Sequence, residues 1–290
     1  MTQTPAARLG QLLGEPGLIV MPCCFDALSA RLIERAGFPL TFMSGFAVSA
    51  ARLAMPDTGL ISYGEMLDQG RNICDAVGIP VIGDGDTGYG NPVNAKRTVR
   101  GYARAGFACV MIEDQLAPKR CGHTRGKQVV ERGEAVARIR AAIDAREALR
   151  DEGGDILVMA RTDAAATHDL HEAIERAQEF AALGADIAFV EAPQSEDELR
   201  RIGEQIPGPK LANLVEDGAT PLLPPDELER LGFKLAAYPL TLLSAATRGM
   251  QAALEALGRG ATPGERLAFS DLKQLLGFAD YDAELAQYRG

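Results

Sequence analysis

The 290-residue sequence has no surplus of positive charge, no cysteine pairing motif and no long apolar run. With 30 Lys and Arg residues against 40 Asp and Glu residues, the formal net charge is -10. An acidic chain of this kind is a poor partner for nucleic acid or for an anionic membrane surface. An anionic substrate remains compatible with it, because a local cation can reverse the field inside one pocket.

The cysteines and the N-terminal segment predict an intracellular protein. The five Cys residues are odd in number and include no CxxC pair, which is typical of reduced thiols rather than a disulfide framework. The first residues lack the apolar core of a signal peptide, and no apolar stretch reaches membrane-spanning length. We therefore expect a cytoplasmic protein that has neither a nucleic acid nor a membrane as its partner.

One sequence pattern recurs along the chain: an amphipathic helix, then a glycine, then a short apolar run. The glycines after these helices are expected in the left-handed conformation, and they are Gly37, Gly78, Gly106, Gly184 and Gly232. The runs are nearly continuous in apolar residues, as is typical of parallel strands buried on both faces. Together with LIVMPCCFD, ILVMARTD and PKLANLVE they make eight candidate strands that alternate with helices.

This alternation predicts the fold. The expected helices are residues 27–36, 62–77, 92–105, 134–150, 170–183, 195–205, 225–231 and 240–257. Eight such units in roughly 250 residues match a (β/α)8 barrel, whereas an open doubly wound sheet lacks support because no glycine-rich dinucleotide loop follows the first strand. We predict an α/β protein with a catalytic (β/α)8 TIM barrel at residues 1–260. Residues 261–290 are predicted to form a helical arm of the same domain, used in packing or oligomer formation.

The carboxyl ends of the predicted strands, where barrel enzymes place their catalytic groups, are unusually acidic. They carry Asp84, Asp86, Glu113, Asp114 and Glu191. Asp84 and Asp86 are two residues apart, so an extended strand would turn both side chains to the same face. Crowded carboxylates raise each other's pKa unless a cation balances them. Oxygen ligands without a Cys or His set favour Mg²⁺, or alternatively Mn²⁺, over Zn²⁺.

Each of these residues also has a purely structural interpretation. Asp or Glu at a strand end is often the N-cap of the next helix or the partner of an arginine. Arg161, at the end of the fifth strand, likewise has one functional and one structural interpretation. Its guanidinium could hold a substrate carboxylate through two hydrogen bonds, or it could form an ion pair with Asp163 or Glu191.

A basic segment that contains a cysteine follows the fourth strand. Within Pro118–Lys127, Cys121 has five neighbours that can carry positive charge, so we expect its pKa to be lowered. Two glycines give this segment the freedom of a lid, while a plain basic surface loop is the alternative. The other four cysteines are expected in the core, and His168 and His171 on the surface.

Together these motifs resemble the isocitrate lyase/phosphoenolpyruvate mutase superfamily. The most specific motifs are KRCGH at 119–123 and GDGDTGYG at 83–90. The supporting motifs are SGF at 44–46, PD at 56–57, EDQ at 113–115, ARTD at 160–163, VEAP at 190–193 and ANLVE at 212–216. The resemblance extends from about residue 15 to residue 257.

The resemblance implies a role for each matching position. Asp84 would bind Mg²⁺ directly, and Asp57, Asp86 and Glu113 would hold its water molecules. The implied catalytic residues are Cys121, Arg161 and Glu191, with Cys121 as the general acid on a mobile loop. The implied substrate contacts are Ser44, Gly45, Phe46, Gly122, His123 and Asn213. The family also implies a homotetramer in which the last barrel helix is exchanged between subunits.

The implied reaction is Mg²⁺-dependent cleavage of a carbon–carbon bond in a small 2-hydroxy dicarboxylate. Simple phosphonomutases of the family usually have an asparagine at the loop, and decarboxylase members tend to lack Cys121. Methylisocitrate lyases have an arginine soon after the eighth strand, and Tyr238–Ser244 contains none. A third substrate carboxylate would therefore lack its partner, at a cost on the order of several kcal/mol for a desolvated charge.

We therefore expect a substrate of the 2-alkylmalate type, such as 2,3-dimethylmalate. SGFAVSA and the KRCGHTRGK segment look closest to the branch that contains 2,3-dimethylmalate lyase, petal death protein and carboxyphosphonoenolpyruvate mutase. The alternatives are a carboxyphosphonoenolpyruvate-type phosphonomutase, a methylisocitrate lyase and an oxaloacetate decarboxylase. A non-catalytic barrel is disfavoured, because no element of the site is absent.

Overall fold

Eight parallel strands close into a barrel in the computed structural model, which describes residues 3–124 and 126–289. Each strand pairs with its neighbours in sequence, and the first strand pairs with the eighth. The strands are β1 (Ile19–Cys24), β2 (Thr41–Met43), β3 (Val81–Asp84), β4 (Cys109–Glu113), β5 (Leu157–Thr162), β6 (Ile187–Val190), β7 (Lys210–Asn213) and β8 (Leu235–Tyr238). The predicted (β/α)8 fold class is confirmed.

All eight predicted helices form, and their ends lie within two residues of the predicted ones. The helices are α1 (Pro5–Gly14), α2 (Ala27–Arg35), α3 (Gly45–Leu53), α4 (Tyr63–Ala76), α5 (Pro92–Arg104), α6 (Arg132–Asp151), α7 (Ala164–Thr167), α8 (Leu170–Leu183), α9 (Glu196–Gln205), α10 (Pro225–Arg230), α11 (Thr241–Gly258), α12 (Phe269–Leu275) and α13 (Phe278–Ala286). The sequence pattern does not predict α1, α3 or α7. Within the described ranges, no helix is long and apolar enough to cross a bilayer.

Four of the five predicted left-handed glycines are confirmed. Their φ angles are 85° at Gly37, 96° at Gly106, 107° at Gly184 and 89° at Gly232. The prediction for Gly78 is wrong, because Val77 at the end of α4 is extended, with φ -134° and ψ 151°. The Glu34 carboxylate then accepts hydrogen bonds from the backbone N–H groups of Gly78 (2.7 Å) and Ile79 (3.1 Å). A tertiary contact has replaced the local helix-ending turn there.

The strands alternate between two cores, as expected for a barrel covered by helices. In β4, Cys109 and Met111 belong to the cluster inside the barrel, whereas Val110 and Ile112 belong to a cluster shared with the outer helices. Leu9 of α1 is also part of the inner cluster. Side chains of the inner cluster therefore fill the interior of the barrel. Cys23, Cys24 and Cys109 are buried as predicted, and Cys74 is partly buried.

The chain divides into two compact units, the first ending at Leu243 and the second beginning at Ser244. The first unit contains the barrel. The second contains most of α11 together with α12 and α13, so the predicted helical character of the tail is confirmed from Phe269 onward. None of the α11 residues is buried, and Leu254 is 67% exposed. The assignment of residues 1–260 and 261–290 to a single catalytic domain with an arm stays a prediction.

Candidate active site

A cavity opens at the carboxyl ends of the barrel strands, the position at which this fold carries its catalytic groups. The cavity and its mouth enclose about 500 Å³ of empty space. Eleven of the thirteen predicted site residues line it, namely Ser44, Phe46, Asp57, Asp84, Glu113, Cys121, Gly122, His123, Arg161, Glu191 and Asn213. The other two, Gly45 and Asp86, contact residues that line the cavity. The fold thus brings together side chains that are far apart in sequence.

The segment that follows β2 starts α3 at the cavity wall. Ser44 is the N-cap of this helix, and its hydroxyl accepts a hydrogen bond from the backbone N–H of Ala47 at 3.3 Å. The backbone N–H of Gly45 donates to Asp84 Oδ2 at 3.1 Å. A Cβ atom at Gly45 would lie 2.4 Å from that same oxygen, so only glycine fits at this position. Ser44 and Phe46 both line the cavity, so the start of α3, the end of a helix that attracts anions, forms part of its wall.

Asp84 and Asp86 meet through a turn and not along a strand. β3 ends at Asp84, and Asp86 has a φ of 48°, so the predicted alignment of both side chains on one extended strand is wrong. Instead the backbone N–H of Asp86 donates to Asp84 Oδ1 at 3.0 Å. Burial, helped by Asp86, raises the pKa of Asp84 to about 6. Asp84 and Asp86 together therefore carry more negative charge than their surroundings stabilise.

Lys119 provides part of the missing positive charge. Its Nζ lies 2.5 Å from Asp57 Oδ1 and 2.8 Å from Asp86 Oδ1. Burial alone lowers the pKa of Lys119, but Asp86, Asp84 and Asp57 together raise it well above its usual range. The pKa of Asp57 is still raised by burial, although Lys119 opposes the change. Lys119 lines the cavity, and no role was predicted for it because neighbours in sequence do not reveal its carboxylate partners.

Glu113, at the end of β4, has one carboxylate oxygen without a partner among the residues that the structure describes. Oε2 lies 3.2 Å from Arg161 Nε, whereas the buried Oε1 makes no hydrogen bond. Burial raises the pKa of Glu113 well above its usual range even though Arg161 lowers it. Among the described residues, no three His, Cys, Asp or Glu side chains already converge as metal ligands. An oxygen-only donor set, surplus carboxylate charge and an unpaired buried oxygen nevertheless fit a hydrated Mg²⁺ ion.

Arg161 connects the carboxylates of three strand ends. Besides Glu113, it contacts Asp163 through Nε (2.8 Å) and Nη2 (3.1 Å), and Glu191 through Nη1 (3.2 Å). The ion pairs considered from the sequence are thus both present. The guanidinium carbon also lies 5.1 Å from the centre of the Phe189 ring. Although burial works to raise the pKa of Asp163, Arg161 and Lys127 lower it to about 2.

Glu191 is held by three side chains. His123 Nε2 lies 2.9 Å from Glu191 Oε1, and Asn213 Nδ2 lies 3.3 Å from both carboxylate oxygens. His123 Nδ1 accepts a hydrogen bond from the backbone N–H of Ala219 at 3.2 Å, so Nε2 carries the hydrogen and donates it to Glu191. Burial opposes ionisation of Glu191, but Arg161 and His123 lower its pKa.

Residues 116–124 and 126–128 lie in a loop, called loop 116–128 below, that brings Cys121 to the cavity. The Gln115 side chain accepts a hydrogen bond from the Arg120 N–H and donates one to the Arg120 carbonyl, both at 2.9 Å. The backbone N–H of Cys121 donates to the Asp57 carbonyl at 3.1 Å. These bonds fix the backbone directly after Lys119 and place the thiol beside Asp57.

The predicted lowering of the Cys121 pKa is wrong. Burial raises the pKa of the thiol, and Asp57 and Glu191 raise it further. The basic neighbours in sequence do not compensate, because Lys119 and Lys127 form ion pairs with other carboxylates. Arg125, another of those neighbours, lies outside the described residues. Cys121 therefore stays protonated at neutral pH, as a proton donor requires.

The remaining strand-end residues have structural positions. Asp114 does not line the cavity, and it accepts from the Thr162 hydroxyl at 2.6 Å and pairs with Arg176 at 3.1 Å. The arginine-partner interpretation is thus right for Asp114, and His168 and His171 are exposed as predicted. The apolar wall of the cavity was not predicted, and it consists of Phe42, Phe189, Val215, Pro239 and Leu240. In the sequence these apolar residues cannot be distinguished from residues of the hydrophobic core.

Comparison with known proteins assigns the family. Residues 9–258 match the family model described as phosphoenolpyruvate phosphomutase. The chain belongs to the isocitrate lyase/phosphoenolpyruvate mutase superfamily. The resemblance that the motifs suggest is thereby confirmed, and the protein is an enzyme of this superfamily of lyases and mutases.

Curated relatives with different activities have similar levels of identity. 2,3-Dimethylmalate lyase of Eubacterium barkeri is 42% identical over 276 residues, which cover 94% of this chain and 94% of that protein. The chloroplastic carboxyvinyl-carboxyphosphonate phosphorylmutase of Arabidopsis thaliana is 44% identical over 254 residues, 86% of this chain and 74% of that protein. 2-Methylisocitrate lyase of Aeropyrum pernix is 36% identical over 292 residues, 98% of this chain and 92% of that protein.

Solved structures agree on the whole fold. Oxaloacetate acetylhydrolase in complex with 3,3-difluorooxalacetate has a TM-score of 0.91 and 35% identity, covering 96% of this chain and 95% of that one. Phosphonopyruvate hydrolase in complex with oxalate and Mg²⁺ has a TM-score of 0.86 and 29% identity, covering 99% of each chain. The barrel is therefore shared by family members that act on different small acids.

Proposed function

We propose that the protein is a Mg²⁺-dependent carbon–carbon lyase that cleaves a 2-hydroxy dicarboxylate of the 2-alkylmalate type, such as 2,3-dimethylmalate. One observation carries the proposal: the protonated thiol of Cys121 lines the same cavity as Asp84, Glu113 and Arg161. Cleavage of such a substrate leaves electron density on a carbon atom that must then be protonated. A buried thiol beside a cationic and metal-binding region is suited to that step.

The four carboxylates of Asp57, Asp84, Asp86 and Glu113, called the acidic cluster, form the proposed metal site. Asp84 would bind Mg²⁺, or Mn²⁺, through its carboxylate, and Asp57, Asp86 and Glu113 would hold water molecules of the ion. When bound, the ion supplies positive charge to the carboxylate and hydroxyl groups of a 2-hydroxy acid. The unpaired Glu113 Oε1 and the raised pKa of Asp84 support this assignment. The Mg²⁺ ion in the similar phosphonopyruvate hydrolase supports it as well.

The residues of the chain would bind and orient the substrate. Arg161 would hold a substrate carboxylate, and the backbone at Ser44, Gly45 and Phe46 would receive the other at the start of α3. His123, Gly122 and Asn213 would complete the polar wall around Glu191. A Cβ atom at Gly122 would lie 2.5 Å from Arg161 Nη2, so glycine is required for this close approach.

The chemical steps conserve atoms and charge. One of the carboxylates that line the cavity would accept the proton of the 2-hydroxyl. The electron pair left on that oxygen then forms the carbonyl of a 2-keto acid, and the C2–C3 bond breaks. The bond electrons move to C3 as an enolate-like carboxylate, and Cys121 donates the thiol proton to that carbon. Arg161 and Lys119 supply fixed positive charge while the negative charge is redistributed. From 2,3-dimethylmalate the products would be pyruvate and propionate.

The cavity wall favours an alkyl-substituted dicarboxylate over a tricarboxylate. Val215, Pro239 and Leu240 offer apolar surface to an alkyl group. Tyr238–Ser244 has no arginine to pair with a third carboxylate. A carboxyphosphonoenolpyruvate-type mutase is the second candidate, because the Arabidopsis relative is 44% identical.

Purified protein is expected to release pyruvate from 2,3-dimethylmalate when Mg²⁺ is present, and to lose this activity when EDTA removes the ion. A coupled lactate dehydrogenase assay measures the rate, and added Mg²⁺ should restore it. Citramalate, methylisocitrate, oxaloacetate and phosphonopyruvate serve as competing substrates under the same conditions. If one of these is turned over and 2,3-dimethylmalate is not, the proposed substrate is wrong.

We also propose that the enzyme is a homotetramer that exchanges α11 between subunits. Leu254 in α11 and Leu28 and Leu32 in α2 are large apolar side chains left exposed in the single chain. Leu254→Glu is expected to reduce the molar mass measured by light scattering, which for the wild type should be about four times the 30.8 kDa of one chain. The control is Val93→Glu, at an exposed apolar position of α5. A monomeric wild type would refute this assembly.

A further inference from the structure

Loop 116–128 covers the cavity with little apolar contact of its own. Leu116 is 46% exposed, and Ala117 and Pro118 are exposed as well. Polar contacts therefore hold the loop: Gln115 near its start, Lys119 and His123 in its middle and Lys127 at its end. A segment held in this way can open locally while the barrel stays folded.

Lys127 makes the contact at the end of the loop. Its Nζ donates to Asp163 Oδ1 at 2.9 Å and to the carbonyl of Gly122. The Lys127 side chain is 3% exposed, and the Asp163 side chain is fully buried. Gly122 directly follows Cys121, so a single ammonium group joins the peptide next to the thiol to a carboxylate of the barrel. Charge-assisted hydrogen bonds between buried groups are the stronger ones in proteins.

The same carboxylate also orients Arg161. Asp163 binds the Arg161 guanidinium through both of its oxygens, at 2.8 and 3.1 Å. Neither Lys127 nor Asp163 lines the cavity, in contrast to Lys119 and His123. A substrate in the cavity would therefore not replace the Lys127 contact, whereas it would meet Lys119 and His123 directly.

We infer that Lys127 is a positioning residue whose ion pair with Asp163, called the Lys127 latch below, holds loop 116–128 with Cys121 at the cavity. Because Asp163 is shared, the latch also links the position of the loop to that of Arg161. The catalytic consequence of the latch rests on the proposed function. The closed position of the loop does not, since it can be measured without any substrate.

The reactivity of Cys121 reports on the latch. Cys23, Cys24 and Cys109 are buried in the barrel, so a reagent such as iodoacetamide distinguishes loop opening from unfolding when each cysteine is followed by peptide mass spectrometry. In Lys127→Met we expect Cys121 to be alkylated about tenfold faster than in the wild type, because lost charge-assisted hydrogen bonds increase the open fraction. Removal of a positive charge would by itself slow the reaction, since it disfavours the thiolate.

Two further variants complete the comparison. Lys127→Arg keeps the charge, and it is expected to recover part of the protection. Lys96→Met removes a lysine from an exposed ion pair with Asp144, at 3.3 Å, and it should react at the wild-type rate. With 2,3-dimethylmalate, Lys127→Met is expected to lower kcat about tenfold, because the thiol is less often in position.

Each outcome decides between the latch and its absence. An unchanged alkylation rate of Cys121 in Lys127→Met refutes the latch, and so does equal acceleration at Cys109, which would mean that the barrel has opened. If the wild type cleaves none of the tested acids while Cys121 is selectively exposed in the variant, the proposed function fails and the latch stands. If the wild type cleaves 2,3-dimethylmalate, and Lys127→Met changes neither the alkylation rate of Cys121 nor kcat, the latch fails and the proposed function stands.

Discussion

Replacement of Cys121 by alanine is expected to lower kcat for cleavage of 2,3-dimethylmalate by about 10²–10⁴-fold, the usual contribution of a positioned general acid. The thiol lines the cavity, and its raised pKa keeps it protonated. Binding of the substrate should change little, because Arg161 and the acidic cluster around Asp84 remain in place. Steady-state measurement of pyruvate release separates kcat from KM.

A matched cysteine outside the cavity controls for loss of a thiol as such. Cys74, in α4, is partly buried and does not line the cavity. Cys74→Ala is therefore expected to keep nearly the wild-type kcat. If Cys121→Ala cleaves the substrate at the wild-type rate, the general-acid role is wrong even when the lyase assignment is right.

The pH profile of the wild type tests the same role. A general acid acts only while it is protonated, so activity that depends on it disappears as the pH rises through its pKa. Burial raises the Cys121 pKa above the ordinary thiol value of 9.0. The alkaline loss of kcat should therefore have its midpoint above pH 9, and it should be absent from the profile of Cys121→Ala. A lowered pKa, as expected from the sequence neighbours, would place that loss nearer to neutral pH.

The barrel is predictable from the sequence because its signals are local. Gly106 and Gly184 end helices in the left-handed conformation whatever the distant chain does, and the apolar runs that follow them pair in register. Gly78 shows where local reasoning fails, since a carboxylate from Glu34 in another helix fixes its backbone N–H. The helix α3 also escapes the pattern, because its N-cap Ser44 follows a strand of only three residues.

The site is predictable only in part, because proximity in sequence and proximity in space differ there. The ends of β3, β4 and β5 meet at one rim, so the strand-end rule brings Asp84, Glu113 and Arg161 together. The charge around Cys121 could not be predicted in this way. Its lysine neighbours pair with Asp57 and with Asp163, which are contributed by other parts of the chain.

Replacement of Arg161 by methionine is expected to destabilise the fold by about 3–5 kcal/mol, the usual cost of removing one partner from a buried ion pair. Its guanidinium lies within 3.2 Å of Glu113, Asp163 and Glu191, all of which are buried. A neutral side chain of similar length leaves these carboxylates without their common cation. Cleavage of 2,3-dimethylmalate should also be lost, since Arg161 is the proposed partner of a substrate carboxylate.

Urea unfolding measures the first effect, and Arg200→Met is its matched control. Arg200 forms an exposed pair with Glu196 in α9 at 2.7 Å, so its replacement should cost no more than about 1 kcal/mol. Equal stability of the two variants at neutral pH would contradict the central position of Arg161.

The loss of folding stability in Arg161→Met depends on pH, and its trend follows from the direction of the pKa shifts. In the wild type the pKa of Asp163 is lowered from 3.8 to about 2, so its ionised form adds stability above pH 3.8, which is lost as the pH falls toward 2. In Arg161→Met the clustered carboxylates lose the cation that favours their charged forms, and their pKa values rise. Protonation then relieves the repulsion in the folded variant at a higher pH than in the unfolded chain. The stability gap between Arg161→Met and the wild type should therefore narrow as the pH falls, whereas a gap caused by lost packing alone would stay constant.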